Sequence, residues 1–263
     1  LVVEDYFNIL TPKRSIEDGM IIDKDLIHYI INEELNRRKI KTRNAYLTIN
    51  SSKIITREII IPKVDTEEIN SILKFQVEDY IPVDISNYVI QYKIIGQVYE
   101  DDIEKLKILI IAIPKSVVED YHKLMINLNL NPLVLDYQPN SLAKLIKYNE
   151  TINGSYPTED LTFACVDIGY DGTKISIIRN GIVLVSRIVD IGGNYIDQSI
   201  LNLNDNIQNL EAYKDNIDDI NHVYDDESEN YEITSIIKNS ILALTEKIEI
   251  VFRYYLTRKK DNK

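Results

Sequence analysis

Asp167-Ile168-Gly169-Tyr170-Asp171-Gly172-Thr173 lies between two apolar runs, Leu161 to Asp167 and Lys174 to Arg179. The chain contains only 8 glycines, and five of them fall between Gly169 and Gly193. With Ile182 to Ile188, the two runs predict three short strands joined by glycine turns, hence an antiparallel meander. Glycines at such a tip let backbone N–H groups approach an anion with no Cβ in the way. Asp167, at the end of the first strand, is placed to hold a magnesium ion through water, and Thr173 to donate its hydroxyl to a phosphate. A plain β-hairpin explains the same residues, so both readings stand at this point. Ile191-Gly192-Gly193 follows, just before a helix expected over Tyr195 to Leu203. A glycine pair there is an ordinary helix entry, and also a place where phosphate meets free N–H groups. Leu210-Glu211-Ala212-Tyr213-Lys214 then sets an acid and a base three positions apart on one helical face. Taken alone, such a pair is usually a solvated ion pair.

Working outward, periodicity and punctuation divide the rest of the chain. Leu1 to Leu10 is expected as a strand ending at Thr11-Pro12, and Asp18-Gly19 as a turn. From Asp23 the residues Leu26, Ile27, Ile30, Ile31 and Leu35 follow helical spacing. Ala45 to Asn50 and Ile54 to Ile61 are expected strands, the second closed by Pro62. Asp65 with Glu68 reads as a helix N-cap with its partner, opening a helix whose face carries Ile69, Ile72, Leu73, Val77 and Tyr80. That helix ends at Tyr80-Ile81-Pro82, because a residue before proline is pushed out of the helical region. Tyr88 to Ile95 and Lys105 to Ile113 are expected strands separated by an acidic connection, Gly96 to Glu104. Strand, helix, strand, strand makes a compact α+β unit. Ser116 to Leu128 and Pro139 to Tyr148 read as helices around a short strand, Pro132 to Leu135. The loop holding Asn153-Gly154 and Pro157 is the expected domain boundary, and a long final helix runs through Ile233, Ile241, Leu244, Val251 and Tyr255.

Composition narrows the function classes. The 263 residues are 44% hydrophobic and 27% charged, as in a folded protein, with a net charge of −12 and a pI near 4.8. A phosphate backbone needs a field of lysine and arginine, so direct nucleic-acid binding is disfavoured. Cys165 is the single cysteine and cannot close an internal disulfide, which fits a reducing compartment. Set mid-strand, it reads as buried rather than nucleophilic. His28, His122 and His222 lack metal-ligand spacing. The acidic stretch from Asp215 to Glu229 lacks the EF-hand pattern and reads as solvated. The longest aliphatic run, Ile108 to Ile113, is far short of the ~20 residues that span a bilayer.

The order Asp-x-Gly-x-x-x-Thr, Gly-Gly, Glu-x-x-Lys resembles the second half of the actin-like ATPase fold. Thr11-Pro12 to Glu17-Asp18-Gly19, Ile22-Asp23, Arg57-Glu58-Ile59-Ile60-Ile61-Pro62, Glu67-Glu68-Ile69 and Tyr80-Ile81-Pro82 resemble, within that superfamily, the type IV pilus assembly family PilM. The likeness runs from about Thr11 to the end. It implies a mixed α/β fold with the subdomain plan of the division protein FtsA. Residues 1–50 and 116–158 would form subdomain 1A, residues 51–115 the inserted subdomain 1C, and residues 159–263 an incomplete domain 2.

The same resemblance implies that Asp167, Gly169, Thr173, Gly192, Gly193, Glu211 and Lys214 face ATP, with Asp167 on the magnesium. It also implies that Gln138 orients water, although Gln138 beside Pro139 equally reads as a bare helix entry. Two departures count against catalysis. No glycine hairpin precedes Thr11 to act as a first phosphate loop, and no Gly-Gly adenosine loop follows the last helix. Phosphoryl transfer is almost entirely positioning and charge stabilisation, so such a polypeptide is expected to hold ATP poorly. The leading expectation is therefore a scaffold. It would bind the N-terminal cytoplasmic peptide of the membrane protein PilN between 1A and 1C, near Leu73, Phe75, Val77, Tyr80, Ile81 and Pro82. Other pilus platform proteins and the assembly ATPase are implied partners, placing the chain in the cytoplasm at the membrane through those partners. An actin-like nucleotide switch is the alternative. An FtsA-like division protein is the third reading, disfavoured because Arg258-Lys259-Lys260 is followed by no amphipathic tail.

Overall fold

The structure is a computed structural model that describes residues 2–81, 83–100, 102–202, 210, 214 and 229–261, the last helix with side chains from 231 to 257. The chain divides into two compact units, Leu1–Ser141 and Leu142–Lys263. The division falls inside a helix, upstream of the 153–157 loop where the sequence suggests a boundary.

The first unit opens with a small hairpin, β1 (Ile16–Glu17) and β2 (Met20–Ile21), turning at Asp18-Gly19. Gly19 sits at φ +74, and a Cβ on it would run into the Asn50 carbonyl, so only glycine fits. Asp18 clasps the following connection, accepting from the Ser52 N–H and the Ser52 hydroxyl, each at 2.7 Å. Helix α1 (Lys24–Arg37) is capped by Asp23, whose carboxylate accepts from the Leu26 N–H at 3.0 Å. Strand β3 (Asn44–Ile49) leads into β4 (Ile55–Pro62), α2 (Thr66–Tyr80), β5 (Tyr88–Glu100), β6 (Ile103–Pro114), α3 (Lys115–Asn127) and β7 (Asn131–Tyr137). Strands β3 and β7 pair in parallel. Between them in sequence, β4, β6 and β5 form an antiparallel sheet in that order.

That inserted sheet is covered by α2. Asp65 caps the helix by accepting from the Glu68 N–H at 2.9 Å, as its spacing predicts. Ile69, Leu73 and Val77 then fall on one face and close a core with Ile59, Ile61, Ile81, Leu106, Ile108, Ile110 and Ala112. Strands β5 and β6 run on through the segment expected as an acidic connection. A register shift between Ile94 and Gly96 absorbs the change of pattern that hides the strand in the sequence.

The expected strand over Leu1 to Leu10 is not formed: residues 2–12 are irregular. They are held at the end of α1 instead. Arg38 donates to Asp5 at 3.0 and 3.2 Å and to the Tyr6 carbonyl at 3.3 Å, and lies 4.9 Å over the Phe7 ring. Arg37 and Arg38 both donate to Glu34, which holds that carboxyl at about 2.

Helix α4 (Gln138–Tyr148) crosses the division between the units. The second unit continues with a small hairpin, β8 (Thr151–Ile152) and β9 (Tyr156–Pro157), then the expected meander of β10 (Thr162–Ile168), β11 (Thr173–Arg179) and β12 (Ile182–Val189). Helix α5 (Gly193–Leu201) and helix α6 (Glu229–Asp261) follow. Alternation along β11 serves two cores. Ile178 joins Ala143, Ile146 and Val183 under α4, whereas Ile175 and Ile177 join Val185 and Val251 under α6.

Candidate functional site

The glycine-rich residues converge on one corner of the second unit. The Gly169 N–H donates to the Gly172 carbonyl at 3.1 Å and closes the tip between β10 and β11. The carbonyls of that tip then face the start of α5. The Gly193 N–H donates to Gly169 O at 3.0 Å, and the Asn194 N–H to Tyr170 O at 2.8 Å. Gly192 lies so close beneath the tip that a Cβ would collide with Gly169 O and approach Gly172 N and Tyr170 O to 2.7 Å. The sequence pattern therefore does bring its two glycine segments together, backbone against backbone.

This contact decides how the corner treats an anion. Two of the donors that a helix N-terminus would offer to phosphate are here given to carbonyl oxygens of the tip. Thr173 is fully buried, and its hydroxyl donates to the Ile191 carbonyl at 2.6 Å. The hydroxyl, expected at a phosphate, here ties β11 to the loop before α5. Asp167 keeps about half its side chain exposed, and its carboxylate meets Lys174 at 3.2 Å. Lys214 pairs with Asp197 at 2.7 Å, a carboxylate on α5 whose side chain is only 11% exposed. Asp197 was not legible as a partner, because the two residues are brought together by the fold rather than by helical spacing. Glu211 lies outside the described residues. Among the described residues, the Gly193 and Asn194 amides and the Thr173 hydroxyl are thus engaged within the corner itself.

Gln138 opens α4 in the first unit, with its side chain partly buried. Beside it Tyr137 is buried at the end of β7, where burial and the nearby Asp136 carboxylate hold the phenol above its ordinary range. Cys165 is half-buried against the α4 core, and burial pushes its thiol up.

The insert residues expected at a partner groove separate into two groups. Leu73, Val77 and Ile81 are 6%, 2% and 1% exposed and serve the insert's own core, so they form no accessible wall. Tyr80 packs partly against that core. Phe75 points the other way and is 82% exposed. Pro82 lies outside the described residues. The sheet has a second face, turned from α2, where Val89, Ile111 and Ile113 are half-buried. No sequence signal marked those residues as accessible, because their run reads as continuous core. Helix α3 contacts both β5 and β6 where the insert rejoins its host.

A family model described as type IV pilus assembly protein PilM matches residues 1–263. Among solved structures, a chain of the PilM-PilN type IV pilus biogenesis complex is similar with a TM-score of 0.72 at 19% identity, covering 94% of this chain and 68% of that one. MreB 5 of Spiroplasma citri bound to AMPPNP is similar at a TM-score of 0.48 and 16% identity, covering 90% of this chain and 60% of that one.

Proposed function

The chain belongs to the PilM family of type IV pilus assembly proteins, with the mixed α/β, actin-like fold of that family, and from this premise we propose that it is a scaffold of the pilus machine. It binds the N-terminal cytoplasmic peptide of a PilN-type membrane protein and links that protein to the pilus motor. The observation that carries the reading is the fold shared with a chain of a PilM-PilN complex, over 94% of this chain. No described helix is long and apolar enough to cross a membrane, so a membrane partner would supply the attachment.

The peptide would lie in the first unit where the insert meets its host. The half-buried aliphatic face of Val89, Ile111 and Ile113 would serve as its apolar wall. An extended peptide gains affinity there from burial and main-chain hydrogen bonds, with side-chain pockets setting specificity. The glycine corner supports a scaffold over a nucleotide switch, because the Gly193 and Asn194 amides and the Thr173 hydroxyl are already committed internally.

Fluorescence anisotropy with a labelled N-terminal peptide of a PilN-type protein tests the first point. Saturable binding is expected, and folded protein that binds nothing up to millimolar peptide would remove the groove. Thermal unfolding with and without Mg-ATP tests the second. No stabilisation is expected, whereas a rise of several degrees at micromolar ATP would reinstate the nucleotide switch.

A further inference from the structure

The insert presents a second surface that peptide binding on its sheet leaves unused. Phe75 is 82% exposed on the side of α2 opposite Ile69, Leu73 and Val77. Helical geometry surrounds it with residues seven and four positions before and three and four positions after, namely Glu68, Ser71, Glu78 and Asp79, all exposed. The result is one aromatic ring standing in a field of three carboxylates. Lys74, to one side, is the single basic residue of the helix.

The charges are placed against the helix's own interest. Glu78 and Asp79 fall at the C-terminal end, where the macrodipole is negative and a cation would be favoured, and the last turn contains no basic residue. Among the described residues, neither carboxylate has an ion-pair partner. A fold shaped by helix stability alone would not put two acids and an exposed phenylalanine on this face. A cationic group laid over Phe75 and between Glu78 and Asp79 relieves both costs together.

We propose that the outer face of α2 is a docking surface for an arginine-bearing, basic segment of a partner protein, with a guanidinium stacked on Phe75 and paired with Glu78 and Asp79. Arginine suits the site because its planar group stacks on aromatic rings and forks to carboxylates. A second copy of this chain is a poor occupant at a net charge of −12, and so is an anionic lipid surface. The surface is the outer side of α2, whereas the PilN-type peptide is given the sheet face turned from α2, so the two sites are separable.

The test uses the full chain and three short fluorescein-labelled peptides of one design: arginine with leucine, lysine with leucine, and glutamate with leucine. Anisotropy should show saturable binding of the arginine peptide, weaker binding of the lysine peptide and none of the glutamate peptide. Phe75→Ala, at an exposed position, should fold normally and weaken the arginine peptide about tenfold or more. Glu78→Lys with Asp79→Lys should do the same. Equal binding to wild type and Phe75→Ala would mean unspecific attraction to an acidic protein and would overturn the proposal. A dimer seen by sedimentation that disappears in Phe75→Ala would overturn it in favour of a second copy. The PilN-type peptide, measured in parallel, should bind Phe75→Ala as it binds wild type. If wild type fails to bind that peptide but binds the arginine peptide, only the groove falls; loss of both in Phe75→Ala would merge the surfaces and sink this proposal.

Discussion

Between Ile59 and Ala112 the insert fills its interior with branched aliphatic side chains, and α2 is held to the sheet by them. Between Gly169 and Gly193 the second unit does the reverse, bringing backbone against backbone where no side chain intervenes. The first region is tolerant of detail, since aliphatic residues of similar volume exchange at modest cost. The second is intolerant, because its contacts are made by groups that every residue carries and are blocked by the Cβ that nearly every residue adds. One region therefore constrains the volume of its residues, and the other constrains their identity.

The largest effect that would sharpen this contrast is expected in the insert. Ile110→Ala, at a fully buried position, should cost about 2–5 kcal/mol in chemical denaturation, from lost transfer energy and the cavity left behind. Ile110→Val should cost only about 0.5–1.5 kcal/mol. A loss as large as the alanine variant's would break the claim of tolerance. Gly192→Ala comes next, at about 1–3 kcal/mol, because backbone at the tip must move to admit one methyl group. An alanine variant as stable as wild type would show that the corner is loose. Thr173→Val should cost about 1–3 kcal/mol, since it leaves the Ile191 carbonyl without its buried donor. It should leave the thermal response to Mg-ATP unchanged, and a response lost with the hydroxyl would return Thr173 to phosphate binding.

The smallest effect lies outside both regions, where a surface cluster provides a reference. Glu34 is held at about 2 by Arg37 and Arg38, below its unfolded value near 4.5. Its contribution to stability is therefore complete above about 4.5 and lost as pH falls through about 2. Carbon-13 NMR titration of the Glu34 carboxyl should give a midpoint near the lower value. A midpoint near 4.5 would mean that the two arginines do not hold it in solution.

Legibility in the sequence followed the range of the interactions. Helix α2 was readable to within a residue because its cap, its periodicity and its proline stop are all local. The meander from β10 to β12 was equally plain, as glycine turns join strands that pair with their neighbours in sequence. What failed depended on distant partners. Leu1 to Leu10 has strand-forming residues but no strand beside it, and Arg38 holds the segment in another form. Gly96 to Glu104 looks like an acidic loop, yet pairing with β6 extends the strand through it. At the candidate site, spacing correctly brought the two glycine segments together but could not say which acceptor the α5 amides would meet. Lys214 likewise found Asp197 on another element. Leu73 and Phe75 are both apolar, but two positions apart on a helix they face opposite ways, so spacing alone already argues against one wall holding both.

The way the insert is spliced into its host has a consequence for engineering. Ile55, at its entry, is paired directly with Ala112, at its exit, so the two junctions lie about 5 Å apart across a single antiparallel step. The host chain thus meets the whole insert as if it were a closed staple. The entropy of joining its ends is already settled by strand pairing within the insert, whatever the length between. A short glycine-serine bridge in place of residues 55–112 should therefore leave the host's ends where they were. Conversely, the insert offers a ready port for grafting other modules whose own termini form a strand pair.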